Sequence, residues 1–173
     1  MATWMVHLRI ADRFLDLFDS DAELAENHRI EQTEFVVGNI APDSGISSDE
    51  WTRFSPPKMV SHFKTKDSPG GADIDTDAFC RQHFSAEQRA RYDGKTYSFF
   101  LGYLVHLLSD IEWKKRITDP LLSAYKAESA ADYKSFIWKC KAGSGGGNHH
   151  APAHDMIGLT RQRVSGEKMP QPI

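Results

Sequence analysis

The sequence predicts an all-α protein: a compact multi-helix domain over residues 1–142, followed by a disordered tail over 143–173. The stretch 96–113 is apolar nearly all round, which is typical of a helix surrounded by other helices. Residues 3–18 carry apolar side chains at three- and four-residue steps, which indicates an amphipathic helix. From residue 143 the chain is rich in glycine and lacks apolar periodicity, which favours a disordered tail.

The first predicted helix covers residues 3–18, with Thr3 as its expected N-cap. Its apolar stripe is formed by Trp4, Leu8, Ala11, Leu15 and Phe18. His7 lies next to this stripe, so we expect its side chain to point toward the core or toward a cleft at its edge.

The next segment changes character along its length. Residues 21–34 are polar and predicted to be helical, whereas residues 35–40 are mostly apolar. Pro42 and Gly45 end this element, which leaves Asp43 on a turn just past a buried segment. A carboxylate there can serve the turn or a helix cap, or it can point back into a cleft.

Residues 46–71 contain several prolines and glycines and are predicted to be irregular, as functional loops of this length often are. His62 lies in this loop between apolar neighbours, which suggests a local anchor. Further helices are predicted at 75–84, 85–92, 96–113 and 121–141, the central one ending at the basic residues 114–116.

Two polar residues interrupt the central apolar run, His106 and Asp110. At a spacing of four they lie one above the other on the same helix face. Burying a lone imidazole and a lone carboxylate is costly without a partner. The two side chains therefore either pair with each other or hold a metal ion.

The composition is that of an ordinary globular protein of 173 residues, with 40% hydrophobic and 26% charged residues. A net charge of -3 gives no electrostatic argument for nucleic acid or for an anionic membrane surface. The two cysteines form no CxxC pattern, and the N-terminus has neither a basic segment nor an uninterrupted apolar segment. We expect a cytoplasmic protein without a signal peptide or a transmembrane segment.

Four stretches occur in a fixed order: MVHLRIAD, VVGNIAPDSG, SHFK and FLGYLVHLLSD. Together they resemble the zinc-dependent phospholipase C family, whose fold also serves nucleases of the P1/S1 type. The resemblance covers residues 3–115. It implies an all-helical domain with the metal ions at the bottom of a cleft.

The resemblance also implies a role for each candidate ligand: Asp43 bridges two zinc ions, His62 and His106 bind one of them, and His7 and Asp110 complete the other site. Three imidazoles and two carboxylates suit Zn²⁺. Two zinc ions carry more charge than two carboxylates cancel, so the site can accept a phosphate oxygen and lower the pKa of a bridging water toward ~7.

We therefore expect a two-zinc phosphoester hydrolase in which Asp43 is catalytic and orients or deprotonates the attacking water. The expected partner is a small phosphoester or a phospholipid head group, and the lipid rests on the resemblance alone.

The chain departs from the family pattern at two places. Family enzymes complete one zinc site with an N-terminal Trp, whereas Trp4 does not occupy an equivalent position. Arg116 stands where the first histidine for a third zinc is expected, and the later histidines lie in the glycine-rich tail. Two ions are thus expected rather than three, and the C-terminus is expected to be truncated or altered.

The rival interpretation is a non-catalytic protein that keeps a structural metal site, or a buried His–Asp core pair. Each candidate also has its own simpler role: His7 as a core residue, Asp43 as a turn residue and His62 as a loop residue. His28 and His83 lie in polar stretches and are expected at the surface.

Overall fold

The computed structural model describes residues 3–22, 29–48, 53–65 and 73–124. Within these ranges the helices are α1 (Trp4–Ser20), α2 (Gln32–Ile40), α3 (Lys58–Ser61), α4 (Thr76–His83), α5 (Ala86–Arg91), α6 (Gly94–Trp113) and α7 (Asp119–Ala124), and the strands are β1 (Ile46–Ser47) and β2 (Phe54–Ser55). A 3-10 turn, Ala41–Asp43, extends α2, and a π-helical segment, Lys114–Thr118, joins α6 to α7. The prediction of a helical domain is confirmed.

Helix α6 is the centre of the fold, as its apolar sequence predicts, and half of its residues are buried. It begins at Gly94 because the Asp93 side chain caps it, accepting a hydrogen bond from the Thr96 amide at 2.7 Å. The α-helix ends at Trp113, next to the predicted end at 114–116, and the π-helical segment then leads on into α7. The basic side chains there bind carboxylates along the helix, with Lys114 Nζ lying 2.7 Å from Asp119 Oδ1.

Helices α2 and α6 touch through their backbones at two glycines. A Cβ atom built on Gly38 would lie 1.9 Å from the Phe99 carbonyl oxygen, and one on Gly102 would lie 1.9 Å from the Phe35 carbonyl oxygen. Side chains are excluded at both positions, which allows this close approach. The contact also brings Asn39 of α2 beside α6, where its Nδ2 donates to the Gly102 carbonyl at 3.3 Å.

Helix α1 packs on this pair with a face rotated from the predicted stripe, of which Ala11 and Phe18 are buried. Its buried residues are Val6, His7, Ile10, Ala11, Phe14 and Phe18. The predicted stripe was wrong at Trp4, which is 52% exposed. Phe14 stacks on Phe35 of α2 with ring centroids 5.1 Å apart, so the packing partner decides which side faces inward. Thr3 is the N-cap residue as predicted, although its side chain makes no capping hydrogen bond.

The segments between the long helices differ in part from the predictions. The helix expected over 21–34 does not run through residues 29–31, and α2 begins only at Gln32. The loop 46–71 is not wholly irregular, because β1 and β2 pair antiparallel and α3 follows. Two-residue strands show too little periodicity to be recognised from sequence.

Helices α4 and α5 confirm the two short helices predicted before the central one. Asp75 and Ser85 cap them by accepting hydrogen bonds from the amides of Ala78 at 2.8 Å and Gln88 at 3.3 Å. His83, at the end of α4, is not at the surface as expected, because its ring stacks on Phe100 at 4.2 Å and is partly buried. Burial lowers the pKa of this imidazole.

Several predictions fall outside the described residues. The helix expected over 121–141 is described only as far as Ala124, and the predicted tail from residue 143 and His28 lie beyond the described ranges. Among the described helices, none has the length and hydrophobicity needed to span a bilayer.

Candidate metal centre

Five side chains from four parts of the chain meet beside α6: His7, Asp43, His62, His106 and Asp110. We call them the His/Asp cluster. They come from α1, from the 3-10 turn after α2, from the end of α3 and from two successive turns of α6. All five sequence-predicted site residues are thus brought together. The three histidines and Asp110 are fully buried, and only Asp43 keeps slight exposure, with 7% of its side-chain surface accessible.

His106 lies at the middle of the cluster. Its Nδ1 is 2.6 Å from the carbonyl oxygen of Asn39, which can only accept, so Nδ1 carries the proton. In the neutral ring, Nε2 then has no proton and its lone pair is available to a metal ion. This nitrogen lies 3.4 Å from His62 Nε2 and 3.9 Å from Asp110 Oδ2.

His7 is oriented by the serine that precedes Asp110. The Ser109 hydroxyl donates to the His106 carbonyl at 2.8 Å and therefore accepts from His7 Nδ1, also at 2.8 Å. His7 Nε2 then faces the cluster with its lone pair. It lies 3.6 Å from Asp110 Oδ1 and makes no hydrogen bond with any described residue.

His62 is fixed from the loop side. Its Nδ1 lies 3.0 Å from the hydroxyl of Ser61, and the carbonyl of Ser61 accepts a short hydrogen bond from the Tyr103 hydroxyl of α6. Its Nε2 lies 3.3 Å from Asp43 Oδ1. His62 follows α3 in the segment predicted to be a loop, and the hydrogen bond from Tyr103 to Ser61 anchors its neighbour to a distant part of the chain.

The two carboxylates take different positions in the cluster. Asp110 directs Oδ1 toward His7 and Oδ2 toward His62, at 3.6 and 3.7 Å. Asp43 lies at the edge, where Oδ1 contacts both His62 and the ammonium of Lys58, each at 3.3 Å. Asp110 therefore lies between His7 on one side and His62 and His106 on the other, whereas the short contacts of Asp43 are with His62 and with Lys58 on the solvent side.

Burial and charge set the protonation states. Burial alone would raise the pKa of Asp43, but the hydrogen bond with His62 and the nearby charges of His106 and Lys58 outweigh it and lower that pKa. Burial is likewise outweighed at Asp110, where His7 lowers the pKa to about 2. Burial, with the neighbouring His7, lowers the pKa of His106 to about 3. At neutral pH this gives ionised carboxylates and a neutral His106, the forms that bind metal ions.

The possible metal ligands form two sets of three residues, and within each set the ligand atoms lie within 4.8 Å of one another. One set is His7, Asp43 and His106, and the other is His62, His106 and Asp110. The residues fit zinc in chemistry as well, because nitrogen and carboxylate donors suit this ion. A cation also explains why the lone pairs at His7 Nε2 and His106 Nε2 are buried beside the Asp110 carboxylate.

The chain matches the family model described as zinc-dependent phospholipase C over residues 6–113. This chain belongs to the zinc-dependent phospholipase C family. The matched range contains the whole His/Asp cluster, and the predicted family and helical fold are confirmed. No curated protein and no solved structure matches the chain.

Sequence reasoning missed three residues that contact the His/Asp cluster, namely Asn39, Lys58 and Ser109. Ser109 had a usable signal, because it is a further polar residue in the apolar run and lies three positions after His106. Asn39 acts through its backbone carbonyl, which no residue type reveals. Arg116, at the position of the absent third-zinc histidine, is exposed and pairs with Glu112 at 2.6 Å.

Proposed function

We propose that this protein is a zinc-dependent phosphoester hydrolase of the phospholipase C type, with two zinc ions held by the His/Asp cluster. The observation that carries the proposal is the convergence of three imidazole nitrogens and two carboxylates in a buried site. Two of these imidazoles, His7 and His106, are turned toward the site by hydrogen bonds from their Nδ1 atoms. Such outer hydrogen bonds are typical of metal-binding histidines.

The distances support Asp110 rather than Asp43 as the bridging ligand. Asp110 has one oxygen near His7 and the other near His62 and His106, so it could be shared between two ions. This changes the role that the resemblance implied for Asp43. Asp43 would then bind a single ion at the solvent side of the cluster, where a water molecule and a substrate can approach.

The reaction is hydrolysis at phosphorus. Water adds to phosphorus, the bond from phosphorus to the alcohol oxygen breaks, and the leaving alcohol takes up the proton that the water loses. Bound zinc supplies Lewis acidity, which makes water more acidic and stabilises negative charge on phosphate oxygens. Because its pKa is lowered, Asp43 acts mainly as an anionic ligand and as a hydrogen-bond acceptor that orients the water.

The proposed substrate class rests on the family and on the net charge of the chain. Phospholipase C membership favours a phosphodiester of a lipid head group, and a small water-soluble phosphoester uses the same chemistry. The net charge of -3 offers no support for a polyanionic nucleic acid. The cytoplasmic location stays a prediction.

The first test is the zinc content of protein purified without a histidine tag, measured by elemental mass spectrometry. We expect about two equivalents, fewer in H106A and D110A. Hydrolysis is then measured with bis(p-nitrophenyl) phosphate and with phosphatidylcholine in mixed micelles. D43N should fold and lose hydrolysis. Protein that binds no zinc, even after zinc is added, would refute the proposal.

The complete burial of the three histidines and Asp110 also favours a second candidate, a closed structural metal site. The two candidates differ in D43N and in the substrate assay. A structural site predicts that zinc raises the melting temperature, that neither phosphodiester is hydrolysed, and that D43N changes stability alone.

A further inference from the structure

We propose that Lys58 binds a phosphate oxygen of the substrate at the solvent side of the His/Asp cluster. This inference rests on the proposed function and assigns a substrate-binding residue to it. Lys58 is the first residue of α3, four positions before His62. Its ammonium lies 3.3 Å from Asp43 Oδ1, in direct contact with the cluster.

The contact between Lys58 and Asp43 is exposed on the lysine side, which indicates the direction from which a substrate can approach the cluster. The Lys58 side chain is 35% exposed, whereas Asp43 is 7% exposed and His62 is fully buried. A molecule that reaches the cluster along this line therefore meets the ammonium before it meets the histidines. The ammonium also lies 4.9 Å from the centroid of the Phe54 ring, a cation–π contact that holds it near this position.

The chemistry of the ammonium matches a phosphate group. An ammonium carries three N–H donors and no acceptor, so its contact with Asp43 leaves two donors for another oxygen. Hydrogen bonds from a charged donor to a phosphate oxygen are among the stronger ones in proteins. Lys95, by contrast, pairs with Glu34 of α2 and has no contact with the cluster.

The alternative role for Lys58 is to position Asp43 as a ligand. The two roles predict different losses of binding when a neutral side chain replaces Lys58. If Lys58 only positions Asp43, zinc binding weakens in K58Q. If Lys58 binds phosphate, zinc binding is kept and phosphate binding weakens by about tenfold or more, the loss expected for one charged hydrogen bond.

The experiment is calorimetric titration of inorganic phosphate into zinc-loaded protein that has been dialysed free of excess zinc. Wild type, K58Q, K58R and the control K95Q are compared at equal zinc content, with circular dichroism to verify folding. Glycerophosphocholine is titrated in parallel, because it distinguishes a head-group diester from free phosphate as the preferred ligand. We expect weaker binding in K58Q, most of it retained in K58R, and no change in K95Q.

Each contrary result is distinct. Equal phosphate affinity in K58Q and wild type overturns the inference while leaving the zinc site intact. Zinc loss in K58Q assigns Lys58 to positioning Asp43 and also overturns it. Wild-type protein that takes up no zinc refutes the proposed function itself.

Discussion

The glycine contact between α2 and α6 makes Gly102→Ala a test of how packing supports the cluster. The added methyl group would lie 1.9 Å from the Phe35 carbonyl oxygen and 2.9 Å from the Asn39 amide nitrogen. Both atoms belong to the backbone, so no side-chain rotation relieves the clash. The helices must separate by about 1.6 Å to move this contact from 1.9 Å to an ordinary distance near 3.5 Å.

Two terms decide the size of the effect. Alanine is favoured over glycine inside a helix by about 1 kcal/mol. Overpacking costs about 1–3 kcal/mol when side chains can adapt, and a backbone clash lies at or above the upper end of that range. We expect Gly102→Ala to lower the free energy of unfolding by about 2 kcal/mol or more, which corresponds to a fall in melting temperature of roughly 4–8 °C.

The matched control is Gly94→Ala at the start of the same helix. The nearest atoms to a Cβ there are in the Glu31 side chain at 3.9 Å, so the extra methyl fits and stability should stay equal or rise slightly. Thermal and urea unfolding are measured for both variants, together with their zinc content. Because the displaced α2 carries the carbonyl that orients His106, zinc affinity should fall in Gly102→Ala alone. Equal stability in the two variants would refute the proposed backbone contact.

Three further predictions concern the cluster and its protonation. Ser109→Ala removes the acceptor for His7 Nδ1 and should weaken zinc binding about 10- to 100-fold in a chelator competition. The control is Ser98→Ala in the same helix, which removes a buried hydroxyl that accepts from the Glu31 amide and should lower stability but keep zinc affinity. Equal zinc affinities in the two variants would contradict the role of Ser109. Metal-free protein should lose stability on acidification, because the unfolded chain binds protons that the folded chain excludes: at His106 as the pH falls from 6.5 to about 3, and at Asp110 from 3.8 to about 2. Each group changes the free energy of unfolding by up to about 1.4 kcal/mol per pH unit. A free energy of urea unfolding that is equal at pH 7 and pH 4 would contradict this prediction. Removing zinc with a chelator should lower the melting temperature and adding zinc should restore it, with about 4 kcal/mol gained at a thousandfold excess over Kd; an unchanged melting temperature would count against a bound ion.

The sequence predicted the central parts of the fold and the members of the cluster because their signals are local. The four-residue spacing of His106 and Asp110 shows directly that they share a helix face. The position of Asp43 after a buried segment follows from Pro42 and Gly45. The helices α4 and α5 were recognisable from their capping residues.

The remaining features depend on contacts between distant residues, which no local pattern contains. Trp4 fits an apolar stripe as well as Phe14 does, and only the stacking on Phe35 decides between them. Lys58 looks like any loop lysine until folding brings Asp43 within 3.3 Å of it. Which of Asp43 and Asp110 would be shared between two ions likewise depends on distances across the cluster.

If the cluster binds metal, the separation of its residues along the chain would link metal binding to the order in which the helices assemble. His7 reaches Ser109 across 102 positions, whereas the set of His62, His106 and Asp110 needs nothing from α1. A growing chain can therefore complete the second set before α1 docks. An ion held between α1 and α6 would tie together the two ends of the matched domain, much as a covalent cross-link closes a long loop.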